Sequence, residues 1–185
     1  SDVKTRMHKG DIIIFDDKDR QTILKKLKSE KKNNNFTLMI KMLLYNGLRP
    51  SDIVNITIDN VDLKKMVMKY YSTKVGQWYT CPLHSELKPQ LRKQIKAATS
   101  NKLFSYENIS NMGKAFRRFM KDIGLDNKGY DLRTFRKDFI SRCQEAGVPV
   151  VAASKLAGHS NLTTTMEYYT KLSPEYFRFE LNKLE

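Results

Sequence analysis

The chain has 185 residues, of which 40% are apolar, so it is long enough to bury one substantial core and we expect a single domain. Its 34 lysines and arginines outnumber 20 aspartates and glutamates, and the formal charge of +14 favours a polyanionic partner such as DNA or RNA. The two cysteines form no metal-binding motif, and no apolar signal stretch opens the chain, so we expect an intracellular protein without a metal centre. The longest apolar runs are far shorter than the ~20 residues that span a bilayer, so we expect no membrane segment.

The first part of the chain predicts two helices separated by a polar break. An acidic cluster at residues 16–19 precedes apolar residues at helical spacing, and acidic side chains favour the positive end of a helix. After a Lys/Asn-rich stretch, residues 36–46 present a broad apolar face, and Gly47 is expected to end this second helix. Pro50 suits the first turn of a third helix, so Arg49 is expected to lie between two helices.

The middle of the chain predicts a β-hairpin, and the remainder is helical. Residues 66–72 and 78–83 are rich in β-branched, aromatic and apolar side chains, and the segment between them, which carries Lys74, is expected to turn. Beyond this hairpin, glycines such as Gly113 and Gly124 punctuate five predicted helices, at 84–98, 110–123, 131–147, 149–157 and 162–170. The predicted fold is therefore mainly α with a small antiparallel β-sheet.

Several basic and phenolic side chains form a set suited to chemistry at a phosphodiester. Attack on such a group places negative charge on its non-bridging oxygens, which two arginines, Arg49 and Arg136, can bind bidentately. A tyrosine of pKa ~10 is ionised to about one part in a thousand at neutral pH, so it needs a base or a cationic field, and a lysine on a hairpin turn can protonate the leaving oxygen.

Each of these residues has an ordinary structural explanation when it is taken alone. An arginine after a helix-ending glycine is most often a surface residue, a lysine at a hairpin tip is usually a solvated charge, and tyrosines near a chain end usually pack on the core. A histidine beside a glycine, as at His159, can simply cap a helix. Only their combination and order favour DNA strand transfer.

Four segments resemble, in the same order, motifs of the tyrosine recombinases, the family that includes the phage integrases and the Xer proteins. Residues 46–53, NGLRPSDI, resemble the TGLR-(I/P)-S-E-L box of that family, and residues 72–76, STKVG, with the CPL that follows, are similar to the hairpin that carries its catalytic lysine. Residues 145–149, EAGVP, and 156–161, LAGHSN, resemble its EAGVP and LLGHS segments. The resemblance extends over about residues 36–175 and implies the catalytic-domain fold of these enzymes.

The resemblance leaves two candidates for the second arginine of the family, because LRTF and FRKDF both resemble its H-x-L-R-H-T-F segment. The distances to the EAG segment and to His159 select Arg136. Arg133 then stands where the family usually has a histidine, and Lys137 replaces a common second histidine. Because Arg133 cannot act as a base at neutral pH, general-base work would fall to His159, to water or to the DNA.

The nucleophile implied by the resemblance is one of two adjacent tyrosines. Family members carry it nine or ten residues after the histidine of the GH pair, which corresponds here to Tyr168 or Tyr169. Residues 164–172, TTMEYYTKL, align without a gap with the TTMDTYSHL form that is common in phage integrases. We therefore favour Tyr169 and keep Tyr168 as the alternative.

The resemblance implies a site-specific DNA recombinase or integrase, of the kind that integrates viral genomes and other mobile elements, and that works without a metal ion or cofactor. It assigns a role to each candidate: Tyr169 forms a 3′-phosphotyrosyl bond, Arg49 and Arg136 bind the phosphoryl oxygens, Arg133 adds a further donor, Lys74 protonates the 5′ oxygen and His159 assists proton transfer. A type IB topoisomerase, which relaxes DNA, and a noncatalytic DNA-binding relative are the alternative functions.

The resemblance also implies partners and a domain arrangement. Family members act as tetramers on double-stranded DNA, so we expect a homo-oligomer at a specific DNA site in a prokaryotic host. The chain would be the catalytic half of such a protein, without the N-terminal core-binding domain that usually accompanies it. Residues 174–185 are predicted to form an amphipathic tail that is too apolar for a free end, and this tail is expected to pack in cis or on a neighbouring subunit.

Overall fold

The computed structural model describes residues 12–29, 35–106, 108–159, 163–169 and 181–182, without the side chains of residues 167–169. Within these ranges the helices are α1 (Asp17–Ser29), α2 (Asn35–Asn46), α3 (Pro50–Ile53), α4 (Lys88–Ala97), α5 (Ile109–Asp122), α6 (Thr134–Glu145), α7 (Val150–Ala157) and α8 (Thr163–Tyr169). The strands are β1 (Val61–Asp62), β2 (Val67–Ser72) and β3 (Gln77–Pro82). Apart from residues 181–182, the predicted tail of residues 174–185 lies outside the described residues.

Helix α2 forms the centre of the core. Its sequence, NFTLMIKMLLYN, is apolar on nearly every side, and a helix of that kind must be surrounded by other elements. Accordingly α2 contacts α3, α4 and α6, and Leu38, Met39, Ile40, Met42, Leu43 and Leu44 are buried. The central helix thereby holds α3 and α6, which carry Arg49 and Arg136 at or near their N-termini, against one another.

The sheet is antiparallel throughout, with strand order β1-β2-β3. Strands β2 and β3 pair from Val67 with Pro82 to Ser72 with Gln77, so residues 73–76 form the turn between them. Buried side chains alternate with more exposed ones along β2, as expected for a sheet with one face on the core. The hairpin therefore carries Lys74 in its exposed turn.

Helix α1 is attached to α6 by an ion-pair network around one buried carboxylate. Nη2 of Arg20 donates to Oδ1 of Asp138 at 2.7 Å, and Nε of Arg142 donates to Oδ2 of the same carboxylate at 2.9 Å. The Asp138 side chain is fully buried, and a buried charge is tolerated when it is paired and hydrogen-bonded in this way. Next to the network, Phe15 packs edge-on against Phe135 with 4.8 Å between ring centroids, so the segment before α1 also braces the start of α6.

The prediction of a mainly α fold with a small antiparallel sheet is confirmed, with local differences. Strand β1 and the 3-10 turn before it, Ile58–Asn60, were not predicted, because β1 is defined by its pairing with β2 and has only two residues. Gly113 was expected to punctuate a helix but lies inside α5, where Met112 and Phe116 hold the helix in the core. No helix in the described ranges is long and apolar enough to cross a membrane.

Candidate active site

A cleft of about 990 Å³ lies among the start of α3, the β2-β3 turn, α5, the start of α6 and the segment after α7. Five of the residues predicted from the sequence line it: Arg49, Lys74, Arg133, Arg136 and His159. Two further cations, Arg117 and Lys137, also line the cleft. The fold thus gathers residues that are far apart in the sequence around one cavity with a strong excess of positive charge.

The loop between α2 and α3 presents Arg49 to the cleft. The loop begins at Gly47, whose φ of 61° is a conformation that side chains rarely adopt. A Cβ atom at this position would lie only 2.3 Å from Cδ1 of Phe139, so glycine is required both by the backbone and by the packing. Arg49 occupies the N-cap position of α3 without a capping bond from its side chain, and its Nη1 donates to the carbonyl oxygen of Gly158 at 2.8 Å.

Arg136 forms a hydrogen bond to the same loop. It lies in the first turn of α6, is 8% exposed, and donates from Nη1 to the carbonyl oxygen of Gly47 at 2.8 Å. The two hydrogen bonds link the cleft residues through the backbone. Arg136 binds the carbonyl oxygen of Gly47, two residues before Arg49, and Arg49 binds that of Gly158, directly before His159. Such preorganised guanidinium groups can stabilise developing charge with little rearrangement.

His159 follows the end of α7 directly, and the helix cap holds its backbone. Gly158 adopts a φ of 62° as the left-handed C-cap, and the N–H of His159 donates to the carbonyl oxygen of Ser154 at 2.9 Å. A Cβ atom on Gly158 would lie 2.5 Å from the hydroxyl oxygen of Tyr70. The close approach of β2 therefore requires glycine immediately before the histidine.

The imidazole of His159 is neutral at physiological pH. Burial, and then the positive charges of Arg136, Arg49 and Lys74, lower the pKa of His159 to about 3. Its Nδ1 lies 2.6 Å from Oγ1 of Thr165, a fully buried residue of α8. One ring nitrogen is thus engaged by the protein, which leaves Nε2 for a ligand.

Lys74 and Arg133 are the exposed members of the set. The carbonyl oxygen of Ser72 accepts the N–H groups of Val75 and Gly76 at 3.2 and 2.7 Å, which closes the turn that carries Lys74. The Arg133 side chain is 80% exposed, and its Nε lies 3.4 Å from Oδ2 of Asp131. Long exposed side chains keep most of their rotamer freedom, so both can adjust to a bound phosphate.

Asp52 is a site residue that the sequence analysis did not single out, although it belongs to the NGLRPSDI segment. It is fully buried in the first turn of α3, with Oδ2 3.7 Å from Nη1 of Arg49. Burial raises the pKa of Asp52, against the opposing effects of Ser72, Arg49 and Arg136. Its position indicates that the Asp52 carboxylate orients Arg49. The sequence feature that could have identified Asp52 is an acidic residue one helical turn after that arginine.

The two candidate nucleophiles, Tyr168 and Tyr169, belong to the last turn of α8, but their side chains lie outside the described part of the structure. They follow Thr165 by three and four residues, so both lie one helical turn beyond the residue that contacts His159. The preference for Tyr169 over Tyr168 stays a prediction from the alignment.

The cationic groups that line this cleft are side chains of arginine and lysine. Among the residues that the structure describes, no group of three or more His, Cys, Asp or Glu side chains could hold a metal ion. The guanidinium groups that line the cleft, the ammonium on the hairpin and the neutral imidazole form a set of groups that can bind an anion such as a phosphate. The arrangement is suited to binding a phosphodiester and to stabilising extra charge on its oxygens.

Two solved structures of integrases share this architecture. The integrase of transposon Tn1549, in complex with a circular intermediate DNA, superposes with a TM-score of 0.76 at 20% identity, over 96% of this chain and 67% of that one. The catalytic domain of the bacteriophage HP1 integrase gives a TM-score of 0.71 at 18% identity, over 93% of this chain and 95% of that domain. The fold is therefore that of the integrase catalytic domain.

The sequence comparisons identify the family. The model of the phage integrase family matches residues 14–175, so the chain belongs to the phage integrase family, as the motifs implied. The tyrosine recombinase XerA of Saccharolobus solfataricus is 29% identical over 147 residues, which cover 79% of this chain and 49% of that protein. A probable integrase/recombinase of Acholeplasma phage L2 is 27% identical over 154 residues, covering 80% and 53%. The chain spans about half the length of these two relatives.

Proposed function

We propose that this chain is the catalytic domain of a site-specific DNA recombinase that cuts and rejoins strands through a 3′-phosphotyrosyl intermediate. The observation that carries the proposal is the convergence of Arg49, Lys74, Arg136 and His159 on one cleft, next to the helix that carries two adjacent tyrosines. Membership of the phage integrase family supports the same chemistry.

Cleavage begins when the oxygen of Tyr169 attacks the scissile phosphorus and its proton passes to water or to the DNA. The new P–O bond to the tyrosine forms as the P–O5′ bond breaks, and Arg49 and Arg136 bind the non-bridging oxygens as their charge increases. Lys74 gives a proton to the departing 5′ oxygen, so the products are a 3′-phosphotyrosine and a free 5′-hydroxyl. The exposed Arg133 adds a further donor to the phosphate.

Rejoining is the same exchange in reverse, with a different strand. The 5′-hydroxyl of a partner strand attacks the phosphotyrosine and its proton returns to Lys74. Tyr169 leaves as the P–O bond to the tyrosine breaks, and its oxygen regains a proton from water or from the DNA. The energy of the original phosphodiester is held in the covalent intermediate, so the exchange needs no nucleotide hydrolysis.

The partners follow from the proposed reaction. We take double-stranded DNA as the substrate, because the integrase of Tn1549 has the same fold and was determined with a circular intermediate DNA. Exchange between two duplexes requires several active sites, and we propose a tetramer at a specific site in the DNA of a prokaryotic host. The formal charge of +14 implies contacts that are mainly to phosphates, so affinity is expected to fall steeply as salt increases.

The test is covalent trapping on nicked duplexes. After cleavage next to a nick, the short fragment beside the scissile phosphate diffuses away, so the covalent adduct accumulates. If the DNA sequence around the nick is randomised in the substrate pool, the sequences of the DNA in the adduct report the preferred site. On a denaturing gel, the parent chain and Tyr168→Phe should form the adduct in the presence of EDTA, and Tyr169→Phe should form none.

The possible outcomes separate the proposed function from its alternatives. Loss of the adduct in Tyr168→Phe alone would transfer the nucleophile to Tyr168. Relaxation of supercoiled DNA without strand exchange between two duplexes would indicate the topoisomerase activity. A parent chain that binds DNA but forms no adduct at any enzyme excess would contradict the recombinase proposal and favour a noncatalytic DNA-binding protein.

A further inference from the structure

The contact between His159 and Thr165 links the wall of the cleft to the helix that carries the tyrosines. Nδ1 of His159 and Oγ1 of Thr165 are 2.6 Å apart, a short distance for a hydrogen bond between a ring nitrogen and a hydroxyl. Thr165 has no exposed surface, so water does not compete for this bond. A β-branched side chain inside a helix also has few rotamers, which holds the hydroxyl in place.

The direction of this hydrogen bond decides what His159 offers to a ligand. A neutral imidazole carries one N–H, and it is either on Nδ1, pointing at Thr165, or on Nε2. The ring is neutral because burial and three cations disfavour its protonation. If Nδ1 carried the hydrogen, the lone pair of Nε2 would be left for the ligand and would repel an anionic oxygen. A hydroxyl, in contrast, can donate to Nδ1 equally well.

Phosphate oxygens only accept hydrogen bonds, so a phosphodiester in the cleft is matched by an N–H on Nε2. We infer that Thr165 is a positioning residue whose buried hydroxyl donates to Nδ1 of His159, holds the ring in the tautomer that presents Nε2–H to the scissile phosphate, and fastens α8 to the cleft. The choice of phosphate as the acceptor rests on the proposed function. The tautomer itself is a property of the free protein.

Two consequences follow for the reaction. In this tautomer Nε2 donates and cannot accept, so His159 acts as a hydrogen-bond donor to the phosphate, and removal of the proton from the tyrosine falls to water or to the DNA. Because Thr165 precedes Tyr169 by one helical turn, the same hydrogen bond sets the position of the nucleophile's helix relative to the phosphate.

Nuclear magnetic resonance of the 185-residue chain tests the tautomer without any DNA. The chain has three histidines, so the long-range correlations between ring nitrogens and carbon-bound hydrogens are few, and His159→Gln assigns those of His159. At neutral pH the parent and Thr165→Ser should carry the hydrogen on Nε2. In Thr165→Val, which is nearly the same size, the Nδ1 resonance should move because its hydrogen-bond donor is gone. A hydrogen on Nδ1 in the parent, or an Nδ1 resonance that does not move in Thr165→Val, would overturn the inference.

Single-turnover adduct formation tests the role in positioning. Thr165→Val should slow the reaction about tenfold, the order expected for one lost hydrogen bond, while the affinity for DNA is unchanged and Thr165→Ser recovers most of the rate. Thr22→Val makes the same substitution in α1, where the hydroxyl donates to the carbonyl oxygen of Lys18, and should leave the rate unaltered. Equal rates for the valine and serine variants would refute the role. A parent chain without any adduct would refute the proposed function instead, while the resonance experiment would still decide the tautomer.

Discussion

Substitution of Gly47 by alanine probes the loop that joins the two arginines. The residue has a φ of 61°, and an added Cβ would lie 2.3, 2.7 and 2.9 Å from three ring carbons of Phe139. That ring is buried on α6, so it has little space into which to move. Since the carbonyl oxygen of Gly47 also binds Arg136, a shift of this loop displaces both Arg49 and Arg136.

Two separate costs add up in the Gly47→Ala variant. A left-handed conformation costs a residue with a Cβ roughly 1–2 kcal/mol, and forcing an extra methyl group into a packed core costs about 1–3 kcal/mol. The free energy of unfolding should therefore fall by about 2–5 kcal/mol in total. Gly147 offers a matched control, because its φ is 71° but nothing lies within 4 Å of an added Cβ. Gly147→Ala should show only the backbone cost.

Urea denaturation of the two variants and the parent, followed by circular dichroism, measures this difference. We expect Gly47→Ala to be less stable than Gly147→Ala by about 1–3 kcal/mol, and to form the covalent adduct more slowly under conditions where it is still folded. Equal losses of stability in the two variants would refute the packing argument. A folded Gly47→Ala protein with the parent's rate of adduct formation would refute the coupling of this loop to Arg136.

Three further predictions concern the charged groups of the cleft. Arg136→Lys keeps the charge but loses the planar fork, so the rate of adduct formation at saturating DNA should fall by about 10²–10³-fold; a change below tenfold would remove Arg136 from the phosphate site. Lys74→Met should strongly slow the cleavage of ordinary DNA. The same substitution should only weakly slow the cleavage of a substrate with sulfur at the 5′ bridging position, because a thiolate leaves without a proton. Equal losses of rate on both substrates would rule out Lys74 as the general acid. The pKa of His159 is lowered to about 3 in the folded chain, whereas an unfolded histidine titrates near ~6.5. Between these two pH values the unfolded chain therefore binds more protons, and the free energy of unfolding should increase with pH. His159→Gln should flatten this increase in urea titrations, and an unchanged slope would show that folding does not lower the pKa of His159.

Much of the fold could be predicted because local signals and packing agree. The apolar stretch at residues 36–46 and the glycine after it predicted α2 and its end almost to the residue. The hairpin was recognisable because strand-forming residues flank a turn. Strand β1 could not be recognised, since two residues carry no periodic pattern and their conformation depends on pairing with β2. The helix predicted at residues 110–123 is confirmed as α5, and only the role of Gly113 as a break was wrong, because the packing of its neighbours outweighs the small helix propensity of one glycine.

The residues of the candidate site could be predicted from the sequence only where they belong to a motif of residues with a regular spacing along the chain. Spacing selected Arg136 over Arg133, and the structure buries the first and leaves the second exposed, a difference that no local pattern announces. The contact of Thr165 with His159 joins α8 to the residue that follows Gly158, and the hydrogen bond of Arg49 with Gly158 joins distant segments. Such contacts are made by tertiary packing, so they became visible only when the helices were placed around the cleft.

The covalent bond itself tests the central claim most directly. An adduct trapped on a nicked duplex can be digested with protease and nuclease and the linked peptide sequenced by mass spectrometry, while the released strand is examined for its terminal group. The account predicts a 3′-phosphate joined to the oxygen of Tyr169 and a free 5′-hydroxyl on the other strand end. A 5′-phosphate linkage, or attachment to any residue other than the two adjacent tyrosines, would contradict it.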